Sequence, residues 1–428
     1  MSMSNTPGLA RKLGTFDAVV IGLGSMIGAG VFAAFTPAAQ AAGSGMLIAL
    51  LVAAFVAYCN ATSSAQLAAA YPTSGGTYIY GRERLGPWSG FLAGWGFVVG
   101  KVASAAAMAM TFAAYAAPAG WERPVAVAAV VLLVAVNYRG VTRTAALARI
   151  IVVAVLAALA IAVAAAWAGS PDTGGSTFLG DGLLSHGWYG ILQAAGLLFF
   201  AFAGYARIAT LGEEVREPRR TIPRAILLAL GIAAVIYAAI GVSLLAILGP
   251  DGVAATASPL ADAVAAGSWN WAVPVVRVGA ALASLGALLA LVAGLGRTSL
   301  AMAREGDLPR YFAAVHPRFQ VPHRAELALG AVICMIVVFA DLRGAIGFSS
   351  FGVLVYYLVA NVAAFTQSGA DRRYPKFLQV LGAAACVALV ATLPLSSVLA
   401  GLVMFALGIG YRLLRLRIPG APTPLDVN

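Results

Sequence analysis

The chain has 428 residues, of which 61% are hydrophobic and 10% charged, against about 25% charged in an ordinary soluble domain. So few charges cannot wet the surface of a water-soluble fold, and so apolar a chain is not a disordered one. The net charge of +11 fits basic cytoplasmic loops around membrane helices, so no nucleic-acid partner is expected.

Taken in order, twelve apolar segments stand out, at about 16–42, 44–70, 87–117, 124–138, 145–168, 187–212, 222–248, 270–298, 325–340, 346–367, 376–394 and 396–414. Each approaches the roughly 20 residues that a membrane helix needs, the fourth and ninth being the shortest. Arg11 and Lys12 precede the first segment, which is too long for a signal h-region and is expected to stay as a span. Numbering the connections alternately from the inside divides the basic residues 22 to 2, with Lys101, Arg207 and Arg277 within spans, which together are the 27 of the chain. That asymmetry predicts a multi-pass plasma-membrane protein with both termini cytoplasmic. The expected organisation is a cytoplasmic segment 1–15, five spans in 16–168, five more in 187–367, two in 376–414 and a cytoplasmic tail 415–428. Cys59, Cys334 and Cys386 sit in apolar runs without metal-binding spacing. No metal or cofactor is expected.

The first span contains Gly24-Ser25-Met26-Ile27-Gly28-Ala29-Gly30. Three glycines in seven residues weaken a helix by about 1 kcal/mol each relative to alanine. Non-helical backbone at bilayer depth survives only where protein or a water-filled cavity surrounds it. A break there bares N–H groups at a half-helix N-terminus, which suits a carboxylate. Gly24 and Gly28 also fit a small-residue packing face, whereas GxGxxG spacing is not met. In the sixth span, Phe199-Phe200-Ala201-Phe202-Ala203-Gly204-Tyr205-Ala206-Arg207 interrupts another apolar run. Each interruption falls in the first span of a five-span half, the sequence signature of a binding site between inverted repeats.

These stretches resemble the amino acid–polyamine–organocation superfamily of secondary transporters. The likeness includes Gly24 to Phe32, Tyr71-Pro72-Thr73-Ser74-Gly75-Gly76-Thr77-Tyr78 and Gly90-Phe91-Leu92-Ala93-Gly94-Trp95. It continues through Phe199 to Gly204, Glu213-Glu214-Val215-Arg216-Glu217-Pro218, Ile222-Pro223-Arg224, Ser258-Pro259-Leu260 and Ala301 to Pro309, nearly the whole chain in order. The resemblance implies an all-α polytopic membrane protein of about twelve spans, built as a five-plus-five inverted repeat with broken helices 1 and 6 and two peripheral helices. It implies a permease working by alternating access rather than an enzyme. The substrate carboxylate is then expected at the N–H groups of Ile27, Gly28, Ala29 and Gly30, with Ser25 beside them. The substrate amine is expected at carbonyls of Phe200, Ala201 and Ala203 next to Gly204, with Phe200 as an outer lid.

Departures from the family sharpen the expectation. Ala206 replaces an acid common two residues after the glycine, span five carries no ionisable group around Ile150 to Leu156, and Ser284 is a single hydroxyl where sodium-coupled relatives carry two. Lys101 shares a helix face with Gly90, Gly94 and Ser104. A charge within a span is a functional candidate, and burial can bring a lysine to change its charge during transport. Lys101, Arg207 and Tyr205 are therefore coupling or gating candidates. Asp17, Glu213 and Arg297, with Glu214 and Arg82, are expected to form a cytoplasmic gate. Two inner cations without an inner anion favour neutral or acidic amino acids over cationic ones, with protons or exchange driving the cycle. A transporter-derived sensor and a permease for polyamines or other organic amines are the alternatives. A major-facilitator protein would need a long central loop, and haem ligation is excluded because His186, His316 and His323 all fall in loops.

Overall fold

The computed structural model describes residues 13–73, 75–140, 145–168 and 181–417. Arg11, Lys12, Ser74, Arg143 and the tail beyond Arg417 lie outside them. The described residues form an all-helical membrane protein. The helices follow the apolar segments closely: Met46–Ala70, Pro87–Ala116, Glu122–Tyr138 and Ala145–Trp167 are the second to fifth spans, and Pro218–Ala255 and Ala272–Arg304 the seventh and eighth. His323–Phe339, Leu342–Phe365, Lys376–Thr392 and Leu395–Leu416 are the ninth to twelfth. Among the described residues, nine stretches are long and apolar enough to cross a membrane unaided. The fourth, ninth and eleventh helices have 17 residues each, about 25 Å at 1.5 Å per residue, slightly less than the hydrocarbon layer.

The first span is three helices, Thr15–Met26, Gly30–Ala33 and Phe35–Ala42, with a bend over Ile27, Gly28 and Ala29. The sixth span differs from the expectation of an open break. Gly187–Phe202 runs into a 3₁₀ turn, Ala203–Tyr205, and then Ala206–Ala209. One glycine among good helix formers lets the helix tighten rather than unravel, because a 3₁₀ turn keeps i→i+3 bonds. Two short helices lie outside the spans: Thr77–Leu85 follows the turn-rich stretch after the second span, and Pro259–Ala265 follows the seventh.

Neighbouring spans come in pairs related by a shift of five. The first packs on the seventh as the sixth packs on the second, the third on the tenth as the eighth on the fifth, and the first on the fifth as the sixth on the tenth. The eleventh helix packs on the second, sixth and tenth, so it is less peripheral than expected. The twelfth touches mainly the tenth and presents Leu395, Leu399, Leu402, Val403 and Leu407 outward. A soluble protein rarely shows such a stripe, whereas a lipid-facing helix requires one.

Small residues set the depth of the third–tenth contact. A Cβ at Gly352 would lie 2.5 Å from the Gly96 carbonyl oxygen and 2.9 Å from Gly100 Cα. No side chain can yield there, only backbone. Gly352→Ala is therefore expected to destabilise the protein by about 1–3 kcal/mol, read as a lower Tm in detergent. An unchanged Tm would show that the two spans are not held this closely.

Candidate functional site

The two interrupted spans meet at their interruptions. A Cβ on Gly30 would fall 2.6 Å from Ala201 Cα, and one on Gly204 would fall 2.3 Å from the Ser25 carbonyl oxygen. Gly28 faces Ala287 of the eighth span, where a Cβ would meet the alanine methyl at 2.6 Å. These glycines thus bring backbone against backbone, and the 3₁₀ turn of one span lies on the bend of the other.

At the bend, Ile27 N–H still donates to Leu23 O at 2.7 Å, and the next backbone donors that find acceptors are Phe32 and Ala33, both to Ala29 O. Among the described residues, no backbone acceptor serves the N–H groups of Gly28, Ala29, Gly30 and Val31. These are the unsatisfied donors of a helix start, and they favour an anion. The carbonyl side is held by tyrosines. Tyr237 of the seventh span places its hydroxyl 2.7 Å from Met26 O and 3.1 Å from Ala201 O, so one group spans both interruptions. A hydroxyl has a single proton and donates fully to one of them at a time. Tyr357 of the tenth span donates to Ala203 O at 3.3 Å, and its ring stacks on Tyr205 at 5.1 Å. Tyr115 of the third span donates to Phe32 O at 3.1 Å. Phe200 is buried one turn above the 3₁₀ segment.

A small hollow, with room for about one water molecule, lies beside the bend, lined by Gly24, Ile27, Gly28, Ile151, Val152, Val155 and Ala283. Its side chains bear neither charge nor hydroxyl. Ser284 is fully buried next to it, and among the described residues its Oγ has no hydrogen-bond partner. Among the described residues, no three His, Cys, Asp or Glu side chains come together to hold a metal ion.

Lys101 is 8% exposed on the third span. One turn away Ser104 Oγ lies 2.6 Å from Ser349 Oγ of the tenth span, and on the other side the Phe97 ring rests on Tyr356. The ammonium has no hydrogen-bond or ion-pair partner among the described residues. Tyr115, fourteen residues on, lies on nearly the same face and reaches the first span, so Lys101 faces the bundle interior. Arg277, near the start of the eighth span, donates to Tyr115 O at 3.3 Å.

The expected gate residues fall in separate places on the face that carries Leu13. Asp17 pairs with Arg149 of the fifth span at 2.8 Å and caps Gly14 N–H. Arg207 is partly buried and bonds Thr210 at 3.3 Å. Glu213 lies beside Glu214 in the turn that follows, and Arg297 is exposed. Arg82 is elsewhere. It bonds Asp307 at 3.0 Å and forms an ion pair with Glu305 at 3.4 Å. Backbone pairing joins the ends of the two interrupted spans: Leu13 N–H donates to Glu214 O, and Arg216 N–H donates to Leu13 O.

Asp307 and Arg412 were not legible as a site. Asp307 is 4% exposed and accepts from Arg82, from Arg412 and from the Tyr78 hydroxyl at 2.8 Å. Burial, and then the Asp307 carboxylate, hold the Tyr78 hydroxyl above its ordinary pKa, so it remains a donor. The Arg412 guanidinium also lies over the Trp88 and Phe91 rings at 4.8 and 4.7 Å. This buried cluster rivets the end of the twelfth span to the loops after the second and eighth.

A helical membrane protein whose first and sixth spans are interrupted where they touch has the architecture of a transporter. Residues 13–412 match the family model described as amino acid permease, and the chain belongs to that family. It is 59% identical over 402 residues to an uncharacterized transporter of Mycobacterium tuberculosis (strain ATCC 25618 / H37Rv), covering 94% of this chain and 90% of that protein. A branched-chain amino acid permease of Bacillus subtilis (strain 168) is 25% identical, covering 84% of this chain and 81% of its own. A chloroplastic cationic amino acid transporter of Arabidopsis thaliana is 28% identical, covering 83% of this chain and 65% of its own. The chain is thus a membrane transporter and not an enzyme.

Two substitutions probe the geometry. Tyr237→Phe removes the donor of two buried carbonyls and is expected to cost about 1–3 kcal/mol, measured by thermal unfolding; wild-type stability would mean that the hydroxyl bonds neither. Asp307→Asn strips the shared anion from two buried guanidinium groups and is expected to cost roughly 3–5 kcal/mol, since breaking a buried pair leaves charge uncompensated. A loss below that of an ordinary surface change would contradict the burial.

Proposed function

We propose that the chain is a secondary active transporter of the plasma membrane, with both termini cytoplasmic, that moves an amino acid by alternating access. The observation that carries this reading is the meeting of the unsatisfied N–H groups of Gly28 to Val31 with the carbonyls of Ala201 and Ala203. A zwitterion presents opposite charges to opposite helix ends. Its carboxylate would take the bare N–H groups. Its ammonium would replace a tyrosine hydroxyl at the carbonyls, with Phe200 closing over it and Ser25 and Gly204 forming the floor. The paired contacts related by a shift of five spans support the reading of 16–168 and 187–367 as two repeats.

The interior favours a neutral or acidic amino acid. Lys101 adds positive charge to the third span without a carboxylate to offset it, and a second cation there would be repelled. The branched-chain name of one relative agrees with this, and the cationic name of another is the competing case. Protons or exchange drive the cycle, with Lys101, Arg207 and Tyr205 as the coupling and gating groups of the interior. Asp17 with Arg149, and Glu213 and Arg297, guard the cytoplasmic exit.

Counterflow in proteoliposomes tests the proposal. Protein preloaded with unlabelled leucine or glutamate is expected to accumulate the labelled form, while lysine and putrescine neither exchange nor compete. Gly30→Ala, which pushes the two interruptions apart, is expected to abolish counterflow in protein that still folds. Binding without counterflow would mark a sensor, and efficient lysine exchange would overturn the assigned substrate class.

A further inference from the structure

An even number of spans lies between Leu13 and each of Arg139 and Arg310, so the end of the fourth span, the loop after the eighth and the start of the ninth share the face that carries Leu13. Aromatic rings join these three segments. The Tyr138 ring lies 5.4 Å from that of His316 and 6.1 Å from those of Phe319 and His323. Gly140 sits against the Phe319 carbonyl, where a Cβ would come within 3.0 Å of the oxygen. His316 Nδ1 accepts the backbone N–H groups of Arg318 and Phe319 at 3.2 and 3.3 Å, which holds the turn that carries them.

Arginines rim this cluster. Arg139 follows Tyr138, Arg318 precedes Phe319, and Arg324 follows His323. The Arg318 guanidinium lies over the Phe319 ring at 5.4 Å, and that of Arg324 over the Tyr311 ring at 4.7 Å. A guanidinium laid on a ring is held in place while its N–H edge stays free to donate. Arg139, Arg318 and Arg324 are all exposed, and among the described residues none of the three guanidinium groups has a hydrogen-bond or ion-pair partner. The acids of these segments do not offset them: Glu305 and Asp307 pair with Arg82, and Glu326 is buried. Other arginines of this face do find protein partners, Arg84 at Thr366, Arg149 at Asp17 and Arg415 at Leu308 O.

Apolar surface begins directly beyond the arginines. From Arg324 the ninth helix continues through Leu327, Ala331 and Met335, and from Arg139 the fourth runs back through Ala135, Leu132 and Ala128, all of them exposed. Steps of three and four residues keep each row on one side of its helix. The two helices touch, since a Cβ on Gly330 would meet Val134 at 2.9 Å. Two neighbouring rows of lipid-facing side chains thus end at unpaired guanidinium groups.

We propose that Arg139, Arg318 and Arg324 bind the phosphate of an anionic phospholipid in the leaflet on this face, with its acyl chains laid along the fourth and ninth spans. The planar fork of an arginine matches two phosphate oxygens at once. A zwitterionic headgroup would bring its own cation to a place that has no free acid to receive it, and an inorganic phosphate has no chains to cover the apolar rows. The bound lipid ties together two span ends and a loop, and so stabilises the fold. This site is separate from the interrupted spans and does not depend on what the protein transports.

Thermal unfolding in a neutral detergent tests the proposal, with native mass spectrometry to count retained lipid. Phosphatidylglycerol is expected to raise the wild-type Tm by several degrees and to stay bound, whereas phosphatidylcholine and inorganic phosphate leave the Tm unchanged. The double variant Arg139→Gln, Arg324→Gln is expected to lose both the shift and the retained lipid. The variant Arg224→Gln, Arg417→Gln removes equal charge from the same face and is expected to keep both. An equal loss in this second pair would mean diffuse surface charge, and an equal shift with inorganic phosphate or phosphatidylcholine would mean an anion site or general lipid solvation; each result overturns the proposal. Should the first pair unfold early on its own, the lipid count on its folded fraction still decides: phosphatidylglycerol retained there as in wild type refutes the site.

Discussion

Interrupting a helix inside a bilayer strands backbone groups where water cannot reach them, at several kcal/mol for each one left bare. The whole centre of this protein is arranged around that constraint. On the acceptor side, Tyr115, Tyr237 and Tyr357 come from three different spans to bond Phe32, Met26 or Ala201, and Ala203. On the donor side, Gly28 to Val31 are left without backbone acceptors among the described residues. The asymmetry is chemical. A phenol can serve a carbonyl while its ring packs as an apolar body, whereas an acceptor for four clustered N–H groups would have to be an anion, which an apolar interior holds poorly unless a substrate brings it.

Close packing of glycines makes the same region possible. At Gly30 and Gly204 the two spans approach until only backbone separates them, and Gly352 does the same for the third and tenth. Without water to drive apolar surfaces together, membrane helices associate through such contacts. The contacts that hold the interrupted pair are therefore few, short and intolerant of added volume. The buried ion cluster around Asp307 is the counterpart at the basic face, where loops must be held without a continuous apolar core.

Much of this was legible in the sequence. Periodic apolar runs and the distribution of arginines gave the spans, and the glycines of residues 24–30 marked the bend. The face shared by Gly94, Lys101 and Ser104 placed the lysine in the interior. The sixth span was harder, because Gly204 signals an interruption without saying whether the chain opens or tightens; the close approach of Ser25 decides for a 3₁₀ turn. Arg82 was hard to place for a different reason. Arg82 and Asp307 are 225 residues apart, and Arg412 is 105 beyond Asp307; no local pattern links them, so Arg82 was grouped with acids that it does not touch.

The short backbone bridge between Leu13 and the segment Glu214 to Arg216 has a mechanical meaning. It fastens the beginning of the first span to the end of the sixth at their free tips, while Gly204 on Ser25 fastens them at their roots. Two rods joined at both ends cannot swing apart, and so behave as one hinged leaf. Whatever tugs on the polypeptide just ahead of Leu13 therefore pulls on both at once.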